Sequence, residues 1–298
     1  MKPQFLVPTV TAFDPKGRVD EEANLRIYDR LIAGGVDGIV LLGSIGEFYA
    51  IPMDEQKRMV GSAARHIGTR CKLIVGTSAM RVEDCIELSN YAHSQGVEAV
   101  MTITPYYFDL SDASVELFYD RLAASTPARV YLYNFPARTG YDLKPSVALT
   151  LARKHSNIVG YKDSIAFMGH TRELANTLLP EFPEFEIYSG FDENLAHNIL
   201  SGGAGCIGGL GNVDPALCAA WLRAILGGDC GEIARCQRRI NRLMRIYDVC
   251  TPFIPAIKQA MVLNGFEMTA HSAFPLLPPD ERQVEAIRAI LTEGQEPM

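Results

Sequence analysis

Eight short apolar runs, each followed by a stretch with helical spacing, fill the chain from residue 5 to residue 226, and few architectures accommodate that alternation. The runs lie at residues 5–10, 37–43, 72–76, 97–103, 129–134, 158–162, 185–188 and 204–207. They are too short for helices and nearly continuous in Val, Ile, Leu and Tyr, the pattern of strands covered on both faces of a parallel sheet. Turn residues punctuate them, as at Asp14-Pro15-Lys16-Gly17 and Gly34-Gly35. The intervening stretches place apolar residues for amphipathic helices, for example Leu25, Ile27, Leu31 and Ile32 behind a capping Asp20. Each strand–helix unit spans about 25 to 30 residues, the size of the βα units that close into parallel barrels. Residues 1–225 are therefore predicted to form a (β/α)8 TIM barrel carrying the active site. A doubly wound open sheet is the competing arrangement, but no Gly-x-Gly-x-x-Gly motif follows the first strand. Beyond Gly227-Gly228, residues 230–249, 253–264 and 280–291 read as helices with no strand between them, so residues 226–298 are predicted to be a C-terminal helical domain.

Composition narrows the function classes. Hydrophobic residues make up 48% and charged ones 21%, an ordinary globular balance. A net charge of −7 gives no electrostatic footprint for nucleic acid. The one arginine-dense stretch, residues 235–245, reads as the solvated face of a helix. No apolar run reaches the about 20 residues that a membrane span needs, so no membrane partner is expected. Met1-Lys2-Pro3-Gln4-Phe5-Leu6-Val7-Pro8 is too short and too proline-broken for a signal peptide, and a cytoplasmic protein is expected. Seven cysteines without paired spacing fit free thiols in a reducing compartment. The six histidines are scattered, with no metal-binding spacing, and no metal is expected.

In a parallel barrel, functional groups gather just beyond the C-terminal ends of the strands. The sixth strand ends in Gly160-Tyr161-Lys162-Asp163-Ser164. A lysine there either snorkels to water or works as a buried amine, and the stretch alone favours snorkelling. The other strand ends shift that balance. The second leads into Gly43-Ser44-Ile45-Gly46-Glu47, where two glycines around a hydroxyl can offer consecutive N–H groups to an anion, although an ordinary turn has the same composition. The fourth is followed by Thr104-Pro105-Tyr106-Tyr107-Phe108, which by itself reads as packed surface or an interface. The fifth runs through Tyr131 and Tyr133, which share a face, to Arg138, whose planar fork suits a carboxylate. The seventh ends in Gly190-Phe191-Asp192-Glu193, whose acidic pair fits a helix cap, and the eighth passes through Ile207 to Gly208-Gly209. Lysine, tyrosine, serine and arginine on one rim form a chemical set. A desolvated amine attacks a ketone to give a Schiff base, and the protonated imine draws electrons from the adjacent carbon–carbon bond. A phenol can move the proton of a substrate hydroxyl, and the Gly43–Gly46 turn can hold the carboxylate of a 2-keto acid. That chemistry needs no cofactor beyond the covalent imine with Lys162.

Gly43-Ser44-Ile45-Gly46-Glu47, Thr104-Pro105-Tyr106-Tyr107, Tyr133 to Gly140 and Gly160-Tyr161-Lys162-Asp163 together resemble the dihydrodipicolinate synthase / N-acetylneuraminate lyase superfamily of pyruvate-dependent class I aldolases. The resemblance covers nearly the whole chain, in order. It implies a homotetramer made of two tight dimers. It also implies that Lys162 is the Schiff-base lysine, Tyr133 the acid/base phenol, and Ser44 with the amides beside it the carboxylate site. Ile207 would lie near the bound pyruvate, and Tyr107 would reach across the dimer interface. Arg138 matches the arginine that receives the aldehyde's carboxylate in the synthases. Gly190 to Glu193 resembles a segment that binds substrate hydroxyls in the sialic-acid lyases, which places Gly190 and Asp192 at the substrate.

The departures concern the substrate. Ile45 stands where a proton-relaying threonine is usual, and it has no hydroxyl. Gly209 replaces a serine of the sialic-acid lyases, and Lys162-Asp163-Ser164 with Thr251-Pro252-Phe253 resembles the branch that cleaves 2-keto-3-deoxy sugar acids. The Arg138-Thr139-Gly140 ending is the synthase form. The expected activity is a carbon–carbon lyase that cleaves or forms a small 2-keto-3-deoxy sugar acid, with a keto acid and an aldehyde as its small-molecule partners. The alternatives are 4-hydroxy-tetrahydrodipicolinate synthase, joining pyruvate to aspartate semialdehyde, a dehydratase using the same imine and, outside the enzymes, a keto-acid-binding sensor.

Overall fold

The eight apolar runs form eight parallel strands that close on themselves. A computed structural model describes residues 2–293 of the chain. Strands β1 (Gln4–Pro8), β2 (Gly38–Leu41), β3 (Lys72–Gly76), β4 (Ala99–Ile103), β5 (Arg129–Asn134), β6 (Ile158–Asp163), β7 (Glu186–Ser189) and β8 (Gly205–Ile207) pair in sequence order. Gln4, Phe5 and Leu6 of β1 then pair with Gly205, Cys206 and Ile207 of β8, which closes the barrel and excludes the open sheet. The helices outside it are α1 (Glu21–Ala33), α2 (Met53–Ile67), α3 (Val82–Ser94), α4 (Asp112–Ala124), α5 (Pro136–Thr139, one turn), α6 (Pro145–Lys154), α7 (Met168–Leu178), α8 (Leu195–Leu200) and α9 (Pro215–Gly227). Three more follow, α10 (Cys230–Met244), α11 (Ile254–Leu263) and α12 (Glu281–Thr292). The predicted (β/α)8 barrel and its C-terminal helices are the observed architecture. No helix among the described residues is long and apolar enough to cross a membrane.

Local chemistry sets the element ends. Asp20 caps α1 by accepting from the Ala23 N–H, and Asp280 forms a capping box with Gln283 at the start of α12. The first apolar run outlasts β1 because the Val10 N–H donates to Asn212 Oδ1, 3.1 Å away, instead of to a strand. Two expected helices are interrupted. Residues 192–200 divide into a 3₁₀ turn, Asp192–Asn194, and α8, with the Asp192 side chain engaged elsewhere instead of capping. Residues 230–249 end as α10 at Met244 and tighten into a 3₁₀ turn, Arg245–Asp248.

The barrel interior is polar at its N-terminal end. Gln4, Lys72, Tyr131 and Glu186 come from β1, β3, β5 and β7, the alternate-strand layering of this fold. Glu186 accepts from Lys72 at 2.8 Å, Tyr131 at 2.6 Å and Tyr188 at 2.8 Å, so its charge is fully compensated. Gly160 on β6 makes room for this layer, since a Cβ there would meet the Tyr131 ring at 2.4 Å. The cavity lined by Ser44, Tyr133 and Lys162 lies at the opposite, C-terminal rim.

Candidate active site

The two-residue period of β6 separates its charged end. Gly160 and Lys162 face into the barrel, while Tyr161 and Asp163 face the helices. Asp163 Oδ2 lies 2.9 Å from Nδ1 of His170 on α7. Burial disfavours the charged imidazole, but Asp142, 3.4 Å from Nε2, and the hydrogen-bonded Asp163 outweigh it and push His170 up to about 10. Lys162 is thus separated from the carboxylate next to it in sequence. Its residue is only 5% exposed, and no carboxylate among the described residues lies within salt-bridge reach of Nζ.

Two other lysines, one half-buried and one buried, set the contrast. Lys72 pairs with Glu186, and Lys258 of α11 pairs with Glu47, both partners of the second pair being fully buried. Those amines are committed to counter-ions. The Lys162 amine instead sits over the Tyr133 ring, 4.4 Å from its centroid. Sheet register explains the contact, because Tyr133 of β5 is the Cα partner of Lys162. The Tyr133 hydroxyl in turn lies 3.4 Å from Ser44 Oγ, on the loop after β2.

That loop is held in an unusual shape. Leu42 and Glu47, at its two ends, adopt φ of 56° and 57°, a left-handed conformation that non-glycine residues keep only when their surroundings enforce it. Glu47 is enforced by Lys258 and by the Ala273 N–H, which donates to its Oε2 at 2.7 Å. Thr11 Oγ1 donates to the Gly46 carbonyl at 2.7 Å. Among the described residues, the N–H groups of Ser44 and Ile45 donate to no carbonyl outside helices and strands, so they remain available to an anion.

A cavity of 390 Å³ covers these groups, and Ser44, Ile45, Tyr133 and Lys162 line it. Arg138, Gly190, Asp192 and Ile207 complete the expected set around the same space. Arg138 stands over the Phe135 ring, 5.4 Å from its centroid, and forms no salt bridge among the described residues. It also borders an adjoining 260 Å³ cavity walled by Phe48, Tyr49 and Tyr106. Gly190 is there for close approach, since a Cβ would meet Ser164 Oγ at 2.1 Å. Tyr107 is the exception: it is 77% exposed, packs edge-on against Phe108, and does not line the cavity.

Asp192 is 1% exposed, and both of its oxygens are occupied. Oδ1 accepts from the Leu210 N–H at 3.0 Å and Oδ2 from the Tyr247 hydroxyl at 3.1 Å. Burial pushes this carboxyl up to about 7. Among the described residues, no group of three or more His, Cys, Asp or Glu side chains is placed to hold a metal ion.

The model of the dihydrodipicolinate synthetase family matches residues 2–294. The chain belongs to that family. Among its relatives, the putative 2-dehydro-3-deoxy-D-gluconate aldolase YagE of Escherichia coli (strain K12) is 34% identical over 289 residues, covering 97% of this chain and 96% of that protein. The probable 2-dehydro-3-deoxy-D-pentonate aldolase YjhH of the same strain is 31% identical, covering 97% and 96%. The 4-hydroxy-tetrahydrodipicolinate synthase of Kosmotoga olearia is also 31% identical, but covers 87% of each chain. The crystal structure of YagE in complex with pyruvate superposes with a TM-score of 0.93 at 34% identity, covering 97% of both chains.

In this member of the dihydrodipicolinate synthetase family, the C-terminal helices supply part of the cavity wall. Met244, Tyr247, Asp248 and Phe253 line it together with the barrel residues. Glu193 and Ser164 line it too, and Glu193 Oε2 is buried with no hydrogen-bond partner among the described residues. Strand-end reasoning reaches Glu193 and Ser164, which follow β7 and β6. It cannot reach Tyr247, which lies on no strand end.

Proposed function

We propose that the protein is a Schiff-base-forming aldolase that cleaves a small 2-keto-3-deoxy sugar acid to pyruvate and an aldehyde. One observation carries this reading: Lys162 is buried with no counter-ion among the described residues, in register with Tyr133 and lining one cavity with an anion-ready turn. The N–H groups of Ser44 and Ile45 hold the substrate carboxylate, with the Ser44 hydroxyl beside them. Lys162 Nζ adds to the C2 carbonyl, and loss of water gives the protonated imine. Tyr133, hydrogen-bonded to Ser44, takes the proton from the C4 hydroxyl. The electron pair of the C3–C4 bond then passes to the imine nitrogen, releasing the aldehyde and leaving an enamine. Protonation at C3 and addition of water release pyruvate and restore the amine. The imine is the electron sink, so the sequence as drawn uses no separate cofactor.

The sugar-acid reading is supported by the names of YagE and YjhH and by Ile45, whose side chain cannot pass a proton. A second reading, condensation of pyruvate with aspartate semialdehyde, is favoured by the unpaired guanidinium of Arg138, which suits a carboxylate on the aldehyde. The protein is further proposed to be a cytoplasmic homotetramer of two dimers, with Tyr107 covered by a second copy.

Borohydride reduction in the presence of pyruvate, followed by peptide mapping, tests the mechanism. The expected result is a stable adduct on Lys162; an adduct on another lysine, or none, would overturn it. Pyruvate release from 2-keto-3-deoxy sugar acids, set against condensation with aspartate semialdehyde, separates the two substrate readings. The first is expected to dominate.

A further inference from the structure

The 3₁₀ turn after α10 brings a phenol into the active-site cavity from outside the barrel. Tyr247 lines that cavity, and its hydroxyl donates to Asp192 Oδ2 at 3.1 Å. The ring is braced edge-on by Phe253, at 4.8 Å between centroids. Two glycines of the β8 loop leave the space for this arrangement. A Cβ at Gly208 would meet Asp192 Oδ1 at 2.2 Å. One at Gly209 would meet the Tyr247 oxygen at 2.4 Å and Ile45 Cδ1 at 2.6 Å. The carboxylate is anchored on its other oxygen by the Leu210 N–H, so it has little freedom to turn toward a ligand.

The groups assigned to the pyruvyl half stand on the loop after β2, on β5 and on β6. Tyr247 belongs to none of these, and enters above the ends of β7 and β8. Resting on the aldolase reading above, we propose that Tyr247 determines specificity for the aldehyde half of the substrate, accepting a hydrogen bond from a hydroxyl beyond the cleaved bond. Asp192 is the positioning residue that fixes the phenol. Because the Tyr247 hydrogen is spent on Asp192, the oxygen turns only lone pairs toward the cavity. An oxygen that offers only lone pairs selects a hydrogen-bond donor, and a substrate hydroxyl is one. The aldehyde half is accordingly one that carries a hydroxyl at that wall. A site that pairs a substrate hydroxyl discriminates against analogues that lack it, since the protein acceptor is then left without a partner.

The test uses the full-length protein, with Tyr247→Phe, Asp192→Asn and the double variant. Two substrates are compared: a 2-keto-3-deoxy-hexonate, hydroxylated beyond C4, and 4-hydroxy-2-oxopentanoate, which is not. Borohydride trapping of pyruvate on Lys162 is measured alongside. In Tyr247→Phe, trapping is expected to persist while the kcat/KM ratio of the hydroxylated over the plain substrate falls about 10- to 100-fold, mainly through KM. Asp192→Asn is expected to lower the same ratio, and the double variant to be little worse than Tyr247→Phe alone, because positioning acts only through the phenol. An unchanged ratio in Tyr247→Phe overturns the proposal. So do fully additive losses, which would place Asp192 itself on the substrate. Failure of the unaltered protein to trap pyruvate removes the aldolase reading instead, and this inference with it. Trapping without the ratio effect removes this inference alone.

Discussion

Asp192 carries a carboxyl whose ionisation is set by its surroundings more than by its own chemistry. Burial raises it from 3.8 to about 7, against the opposing effect of the Leu210 N–H and the Tyr247 hydroxyl. A carboxyl that binds its proton more tightly in the folded state stabilises the fold fully below its unfolded value. That contribution is lost as pH rises from about 4 through about 7, and the loss is complete above that. Asparagine keeps an acceptor for Leu210 and has no charge to bury. Asp192→Asn is therefore expected to gain stability relative to the unaltered protein between pH 5 and pH 8, by on the order of a few kcal/mol. Urea unfolding at the two pH values measures this, and parallel pH dependences in the two proteins would contradict it. At this scale the sequence was informative where the strand period applies. Lys162, Tyr133 and Ser44 are strand-end residues, and the closed barrel turns them to one cavity. The fate of Asp192 was not readable: an acidic residue before a helix has the composition of a cap, and only the fold shows its oxygens bound to Leu210 and Tyr247.

Elements decide what a buried lysine means. Lys162 and Lys258 are both buried, yet one belongs to a strand whose neighbouring carboxylate points away, and the other to a helix that docks on Glu47. The Glu47–Lys258 pair ties α11 to the strained loop after β2, so it supports the turn that presents the Ser44 and Ile45 amides. The same substitution should therefore act with opposite sign. Lys162→Met removes an unpaired buried amine in exchange for an apolar chain of similar length, and is expected to leave the melting temperature unchanged or raised while abolishing turnover. Lys258→Met leaves Glu47 buried without its counter-ion, and is expected to cost about 3–5 kcal/mol of stability. Thermal and denaturant unfolding of both variants provide the comparison, and equal losses would contradict it. The strands and helices themselves were legible because apolar runs, caps and glycine breaks are local signals. The break in α10 was not, since no glycine or proline marks Met244 to Asp248, and that tightening is what delivers Tyr247 to the site.

For the molecule as a whole, one exposed patch beside the site is aromatic. Tyr49, Tyr106, Tyr107 and Phe108 are all exposed to 36% or more, an arrangement that an isolated protein in water does not favour. The patch is continuous with the site: Phe48 touches both Tyr49 and Tyr106, and these three wall the cavity that adjoins Arg138. Covering it with a second copy would bury apolar surface and shield that cavity's outer wall at once. The proposed assembly thus predicts a coupling between mass and activity. Tyr107→Asp places a charge at the centre of the contact, and is expected to lower the solution mass and reduce turnover together. The monomer fold should survive, because Tyr107 is 77% exposed and its ring pairs with Phe108 at the surface. Light scattering coupled to size exclusion reads the mass, circular dichroism the fold, and retro-aldol assay the turnover. A variant that keeps the parental mass would show that this patch is not the interface. One that dissociates but keeps full turnover would show that a single chain completes the active site without help from a neighbour.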